Sequence, residues 1–213
     1  MFLKKSNVNS KLLDHIYQLL FSKMNHDLSS SAGTVYNSIE ILHDESSADF
    51  HEQSLQLSLD GTSKFINKLQ FYRLAYGTVE GCEALSDDEF INLVEKYINY
   101  ASVADVFINK SVVGIAADTK KAILNVIITC IGLCSNKSTI SIEVLQSRFV
   151  ISCANTSCKT GKLFNDLQYK KIEDINVFNI QKVYTKYYID SMHGYSLNEV
   201  VSDDEVVATL KWQ

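Results

Sequence analysis

The chain has 213 residues, no proline and a formal charge of −5. With 46% hydrophobic and 21% charged residues it is too apolar for a disordered chain and has the make-up of a globular one. The acidic balance and scattered lysines argue against a nucleic-acid surface. The longest apolar run, Ala122 to Cys134, is interrupted by Asn125 and Thr129 and is too short to span a bilayer, so no membrane partner is expected.

Met1-Phe2-Leu3-Lys4-Lys5 begins like a secretory leader, but Asn7, Asn9, Ser10 and Lys11 follow in place of an apolar run. A cytoplasmic location is expected. The cysteines Cys82, Cys130, Cys134, Cys153 and Cys158 are odd in number, which argues against a disulfide framework. Cys130 and Cys134 fall on the apolar run and read as core residues. Cys153 and Cys158 have no histidine at a metal-site spacing, so no metal is expected.

The first predicted element is a long helix, capped by Asn9 or Ser10 and running to about Leu42. Leu12, Leu13, Ile16, Leu19 and Leu20 give its early turns an apolar face. Further on, Phe21, Leu28, Val35 and Leu42 recur every seven residues, with Met24, Ala32 and Ile39 between them. That spacing predicts a coiled-coil-like seam. His43 to Ser47 reads as a tight polar turn. A second helix is expected from about Ser47 to Tyr76, stopped by Gly77 and weakened in its interior by Gly61. Two long helices joined by a short turn make an antiparallel hairpin over residues 1–80. A lone hairpin cannot cover both faces of its apolar stripes, so pairing into a four-helix bundle, and hence a homodimer, is expected.

From residue 86 the pattern changes. Ser86-Asp87-Asp88-Glu89 reads as the cap of a helix over Phe90–Tyr100. A strand is predicted over Val103–Ile108. Asp118 is expected to cap a helix over Thr119–Leu133. Thr139–Leu145 and Arg148–Cys153 read as a β-hairpin. The stretch from Lys159 to Asp174 reads as loop with one short helix. A helix over Val177–Met192, stopped by Gly194, and a closing hairpin over Tyr195–Val201 and Glu205–Trp212 complete the chain. Residues 86–213 therefore read as an α/β sandwich with helices on one side of a mixed sheet, and the whole chain as α+β.

His26 lies on the face of the first helix away from the seam. Its helical neighbours are Ser22, Ser29, Ser30 and Gly33, all small. An imidazole on such a bared face is placed to be reached by something large. Asp27 follows directly and can orient the ring. Lys23, one turn earlier, reads either as a group that neutralises negative charge brought to the imidazole or as a solvated lysine. Arg73 reads as an ion-pair or partner-contact residue. Asn125 reads as a cap or a core hydrogen-bonder.

His26-Asp27-Leu28-Ser29-Ser30-Ser31-Ala32-Gly33, followed by Lys68-Leu69-Gln70-Phe71-Tyr72-Arg73-Leu74-Ala75-Tyr76-Gly77, resembles the ChpT family of alphaproteobacterial histidine phosphotransferases. One departure is Ser31, where proline is common in this class. The resemblance implies a dimeric helical hairpin joined to a degenerate domain shaped like a histidine-kinase ATPase domain. It implies no cofactor of its own and no ATP. It implies phosphoryl transfer through His26, from the receiver domain of a hybrid histidine kinase to response regulators of the CtrA cell-cycle type. The receiver would bring its own Mg²⁺. Receiver docking would use Ser22, Ser29, Ser30, Gly33 and Arg73.

The residues oppose an active kinase independently of the resemblance. Val150 to Ser157 occupies the place of a nucleotide-binding glycine turn and has no glycine; only Gly161 lies nearby. A metal phosphohydrolase of the His-Asp type needs a second upstream histidine on another helix, and only His15 precedes His26, on the same helix. His15 is the next phosphorylation candidate. The remaining alternative is a non-catalytic dimeric scaffold whose histidine is incidental.

Overall fold

The computed structural model describes residues 2–44, 48–100, 105–110, 114–135, 137–155, 163–164 and 172–213. The side chain of Asn9 and the residues Glu45, Ser46, Ser47, Val103, Ser157, Cys158 and Gly161 lie outside that description, as does most of the loop expected from Lys159.

Two long helices, α1 (Phe2–Asp44) and α2 (Ala48–Tyr76), form the expected antiparallel hairpin. A short helix α3 (Glu80–Glu83) leads into α4 (Asp87–Asn99). Next come β1 (Asp105–Lys110), α5 (Ala117–Ile131) and the pair β2 (Thr139–Leu145) and β3 (Arg148–Ala154). A 3₁₀ turn at Ile172–Asp174, helix α6 (Ile180–Ser191), β4 (Ser196–Val201) and β5 (Glu205–Lys211) end the chain. The strand order is β1-β2-β3-β5-β4. β1 and β2 are parallel, joined through α5, and the other pairs are antiparallel. The fold is α+β.

Alternation sets the layers. Ile140, Ile142 and Val144 on β2, Phe149, Ile151 and Cys153 on β3, and Val206, Ala208 and Leu210 on β5 are buried beneath the helices. Helix α5 is buried on every side from Thr119 to Cys130, sandwiched between the sheet and the other helices. This explains why Ala122 to Ile128 is apolar on every face except at Asn125. Phe71, Leu74 and Ala75 at the end of α2 enter the same core, and Phe71 stacks on Tyr97 with ring centroids 3.7 Å apart.

The seam is divided between two contacts. Met24 and Leu28 pack toward the core, whereas Phe21 and Ile39 remain 62% and 52% exposed. Farther along, the hairpin closes on small residues: Ser38, Ser54, Ser58 and Gly61 are buried. The Ser38 hydroxyl donates to Thr34 O at 2.8 Å and the Ser58 hydroxyl to Ser54 O at 2.9 Å, so neither needs a partner across the interface. Gly61 does not interrupt α2. A Cβ there would lie 3.0 Å from a Val35 methyl, so glycine sets how closely the helices approach. Gly77 ends α2 as expected, for a steric reason: a Cβ would lie 2.2 Å from Arg73 O, which accepts from the Gly77 N–H.

Ser86 forms a full capping box with Glu89: the Ser86 hydroxyl accepts from Glu89 N, and the Glu89 carboxylate accepts from Ser86 N at 2.9 Å. Asp118 is not a cap. The cap position of α5 is Ala116, without a side-chain bond, and Asp118 sits exposed in the first turn, where its charge acts on the helix dipole and on nearby Lys121. Helix α1 starts at Phe2, so Asn9 and Ser10, expected as its cap, lie inside it.

Two lysines of α5 are buried. Lys120 pairs with Asp87 at 3.1 Å and donates to Leu85 O, and Lys121 donates to Gly77 O at 2.6 Å. Burial acts to raise the Asp87 pKa. Hydrogen bonds from Gly114 N–H, Lys120 and Ile115 N–H outweigh it and hold the carboxyl below its ordinary range. A folded pKa below the unfolded one contributes stability above the unfolded value, about 3.9, and loses it as pH falls through the folded value. The melting temperature of the wild type should therefore drop more steeply below about pH 4 than that of Asp87→Asn, and parallel acid melts of the two check this.

Candidate functional site

Helix α1 carries His26 at mid-length, and 85% of its side chain is exposed. Nδ1 stands 3.5 Å from Asp27 Oδ1, and Nε2 has no hydrogen-bond partner among the described residues. Ser22, Ser29 and Ser30 are exposed around it. Gly33 has no heavy atom within 4 Å of where a Cβ would project. The bared face read from the sequence is present.

Asp27 turns the other way, into the groove with α2. Its Oδ2 accepts from Tyr72 OH at 2.9 Å and from Lys23 Nζ at 3.2 Å. Lys68 Nζ donates to the backbone carbonyl of Asp27 at 3.3 Å and to Ser31 Oγ at 3.0 Å, and Ser31 Oγ donates to that same carbonyl at 3.3 Å. Burial lowers the Lys68 pKa; the Asp27 charge opposes that shift and Lys23 adds to it. Burial also raises the Tyr72 hydroxyl well above its ordinary value, with further contributions from Tyr97 and Asp27, so it remains a donor. The Asp27 carboxylate is thus fixed by two donors on one side and faces the imidazole with its other oxygen. Such a carboxylate can hold one ring tautomer and offset positive charge on the ring.

Lys68 and Tyr72 belong to the second block of the sequence motif but had no assigned role in the sequence reading. The signal that could have found them is their one-turn spacing, together with equal counting away from the interhelical turn, which sets the Phe65–Tyr72 stretch opposite Asp27. Lys23 is an Asp27 partner, not a freely solvated lysine. Ser31 takes the proline position in an unbroken helix and ties Lys68 to α1. Arg73 is exposed and makes no ion pair among the described residues; the contacts do not join it to the His26 cluster. His15 does not share the outer face of His26. It is half-buried, with Nε2 3.2 Å from Ile175 O, because the segment before α6 folds over α1.

Asn125 is a core hydrogen-bonder. Its amide donates to Ala75 O at 2.8 Å and Lys121 O at 2.9 Å, and its oxygen accepts from Gln181 at 3.3 Å. Cys82, Cys130 and Cys153 are buried free thiols. Among the described residues no group of His, Cys, Asp and Glu could hold a metal ion, and no helix is long and apolar enough to cross a membrane.

No protein-family model and no curated protein matches the sequence. Among solved structures, the chain is similar to a bacterial phosphotransferase with a TM-score of 0.74 and 21% identity, covering 93% of this chain and 96% of that one. It also matches the histidine kinase domain of a blue-light-activated kinase from Erythrobacter litoralis, with a TM-score of 0.44 and 9% identity over 86% of this chain and 94% of that one. The first of these likenesses extends over both the hairpin and the sheet and shows a shared fold.

Proposed function

We propose that this chain is a ChpT-like histidine phosphotransferase that relays a phosphoryl group through His26. The observation that carries the reading is the pairing of an exposed imidazole with a carboxylate held in place by Tyr72 and Lys23. Donor and acceptor are proposed to be the receiver domain of a hybrid histidine kinase and response regulators of the CtrA type. The fold shared with a bacterial phosphotransferase supports this choice over an unrelated scaffold.

In the proposed step Nδ1 keeps its proton toward Asp27, leaving the Nε2 lone pair to attack the phosphorus of a receiver phosphoaspartate. The N–P bond forms, the acyl O–P bond breaks, and the electron pair returns to the donor carboxylate. Asp27 offsets the positive charge that develops on the ring. Attack by an acceptor aspartate reverses the sequence. The transition state of such transfers is loose, so positioning and charge stabilisation carry most of the catalysis. The receiver supplies Mg²⁺; this chain supplies the oriented imidazole. Ser22, Ser29, Ser30 and Gly33 leave room for a domain-sized partner to lie along α1, and exposed Arg73 would reach its far edge.

The chain is proposed to need no ATP. Asn125 is fully buried and occupied with the end of α2 and with Gln181, so its amide is not offered to a nucleotide or its metal ion. Incubation with Mg·ATP alone should leave the chain unlabelled, whereas a phosphorylated receiver domain should label it. Labelling by ATP alone would overturn this part of the proposal.

Residues 1–80 are proposed as the dimerisation and phosphotransfer unit, with 86–213 as the degenerate ATPase-like domain. Leu55, Leu59, Ile66 and Leu69 make an exposed apolar stripe along α2, each 44% exposed or more, and a four-helix bundle would cover it. Val35 packs on Gly61 within the hairpin, so its substitution tests folding, not pairing. Ile66→Asp is exposed in the single chain and should yield a folded monomer, while the wild type sediments as a dimer at micromolar concentration. A monomeric wild type would rule out the bundle.

A further inference from the structure

A cavity of about 540 Å³ opens between the hairpin and the sheet domain. Its charged lining is one-sided: Lys23, Lys64, Lys68 and Lys182 against Asp27 alone. Four positive charges and one negative give +3 in a chain whose net charge is −5. Lys23 and Lys68 are partly engaged with Asp27 and its carbonyl, whereas Lys64 and Lys182 make no ion pair among the described residues. Like charges gathered from α1, α2 and α6 repel one another, and nothing in the phosphoryl-transfer step described above uses Lys64 or Lys182.

The rest of the lining is mixed. Tyr72, Tyr97 and Tyr100 form an aromatic wall with polar tips, and the first turn of α6 contributes Gln181 and Lys182, at the helix end that favours negative charge. The last turn of α5 acts the other way, since its carbonyl end is negative. Three of those carbonyls are already taken: Ile128 O by Gly132 N, Cys130 O by Leu133 N and Ile131 O by Cys134 N. The net field therefore favours an anion, and the volume falls in the range of small-molecule sites, roughly 300–1,000 Å³.

A bundle packed on the apolar stripe of α2 would leave this cavity open. Lys64 and Lys68 are one turn apart, and Ile66, on the apolar stripe, is two residues from each. At about 100° per residue the lysines face some 200° away from the stripe.

We propose that this cavity binds a small phosphorylated anion, with Lys64 and Lys182 as the lysines dedicated to it and Lys23 and Lys68 completing the charge. Compact ammonium groups converging from several elements suit an anion that carries two or more charges on one small body. An extended acidic peptide would be better met by a surface stripe. This binding does not depend on the proposed phosphotransfer, and it needs no catalytic metal.

Inorganic pyrophosphate is the probe, titrated calorimetrically into the full-length protein at low salt. The expected result is saturable binding of one pyrophosphate per chain. It should weaken at least tenfold in the double variant Lys64→Ala/Lys182→Ala and stay unchanged in Lys211→Ala, an exposed lysine on β5. Matched melting curves for the double variant establish that it is folded. No binding at millimolar pyrophosphate would overturn the proposal, as would equal affinity in the double variant. Tighter binding of an acidic hexapeptide than of pyrophosphate, lost in the same variant, would overturn it in favour of a protein partner.

Discussion

A chain carrying His26→Ala is expected to accept no phosphoryl group from a phosphorylated receiver domain while keeping its fold. The side chain is 85% exposed, and its one described polar contact is the 3.5 Å approach to Asp27, at the weak limit of a hydrogen bond. Its removal leaves no cavity and no buried orphan. Exposed substitutions of this kind change stability by about 0.5 kcal/mol or less, and alanine is the better helix former. Any loss of transfer is therefore chemical in origin. His15 cannot take over, because it is half-buried and bonded to Ile175 O. Autoradiography of wild type and variant, beside melting curves for both, checks this. Undiminished label in the variant would remove His26 from the reaction.

Asn125→Ala is expected to have the largest effect on stability of any single polar substitution. Asn125 is fully buried and joins three elements: it donates to Ala75 O at the end of α2 and to Lys121 O within α5, and it accepts from Gln181 on α6. Alanine leaves the Ala75 carbonyl and the Gln181 amide without that partner in a dry interior. Each buried group so orphaned costs about 1–3 kcal/mol, and the total expected here is about 2–4 kcal/mol. For a chain of this length each kcal/mol moves the melting temperature by about 2–4 °C. A thermal shift below about 2 °C would mean that water or repacking replaces the amide. The loss should also loosen the hairpin, because Ala75 lies at the point where α2 enters the core of the sheet domain.

The parts of this fold that follow a simple period were legible. The alternation in Thr139–Leu145 and Arg148–Ala154 gave both strands and their pairing, and Ser86 with Glu89 gave the start of α4. Hidden from the sequence were features that depend on contacts between distant segments. Lys120 and Lys121 look like the solvated first turn of a helix, yet they are buried because Asp87, Leu85 O and Gly77 O receive their charges. Gly61 looks like a weak point in α2 and is instead where Val35 packs. Of the candidate site, His26, Asp27 and the small residues around them were legible because they lie on one helix. Tyr72 and Lys68 reach Asp27 from the other helix, and spacing along one helix does not report them.

The most direct test is the chemistry of the bond formed. The wild-type chain is incubated with a phosphorylated receiver domain, separated, and exposed to acid and to base before the labelled peptide is mapped. The expected result is a label that acid removes and base does not, as for a phosphoramidate, in the peptide that contains His26. A base-labile label on a carboxylate such as Asp27, or no transfer at all from receiver domains that do label a known phosphotransferase, would contradict phosphoryl relay through His26.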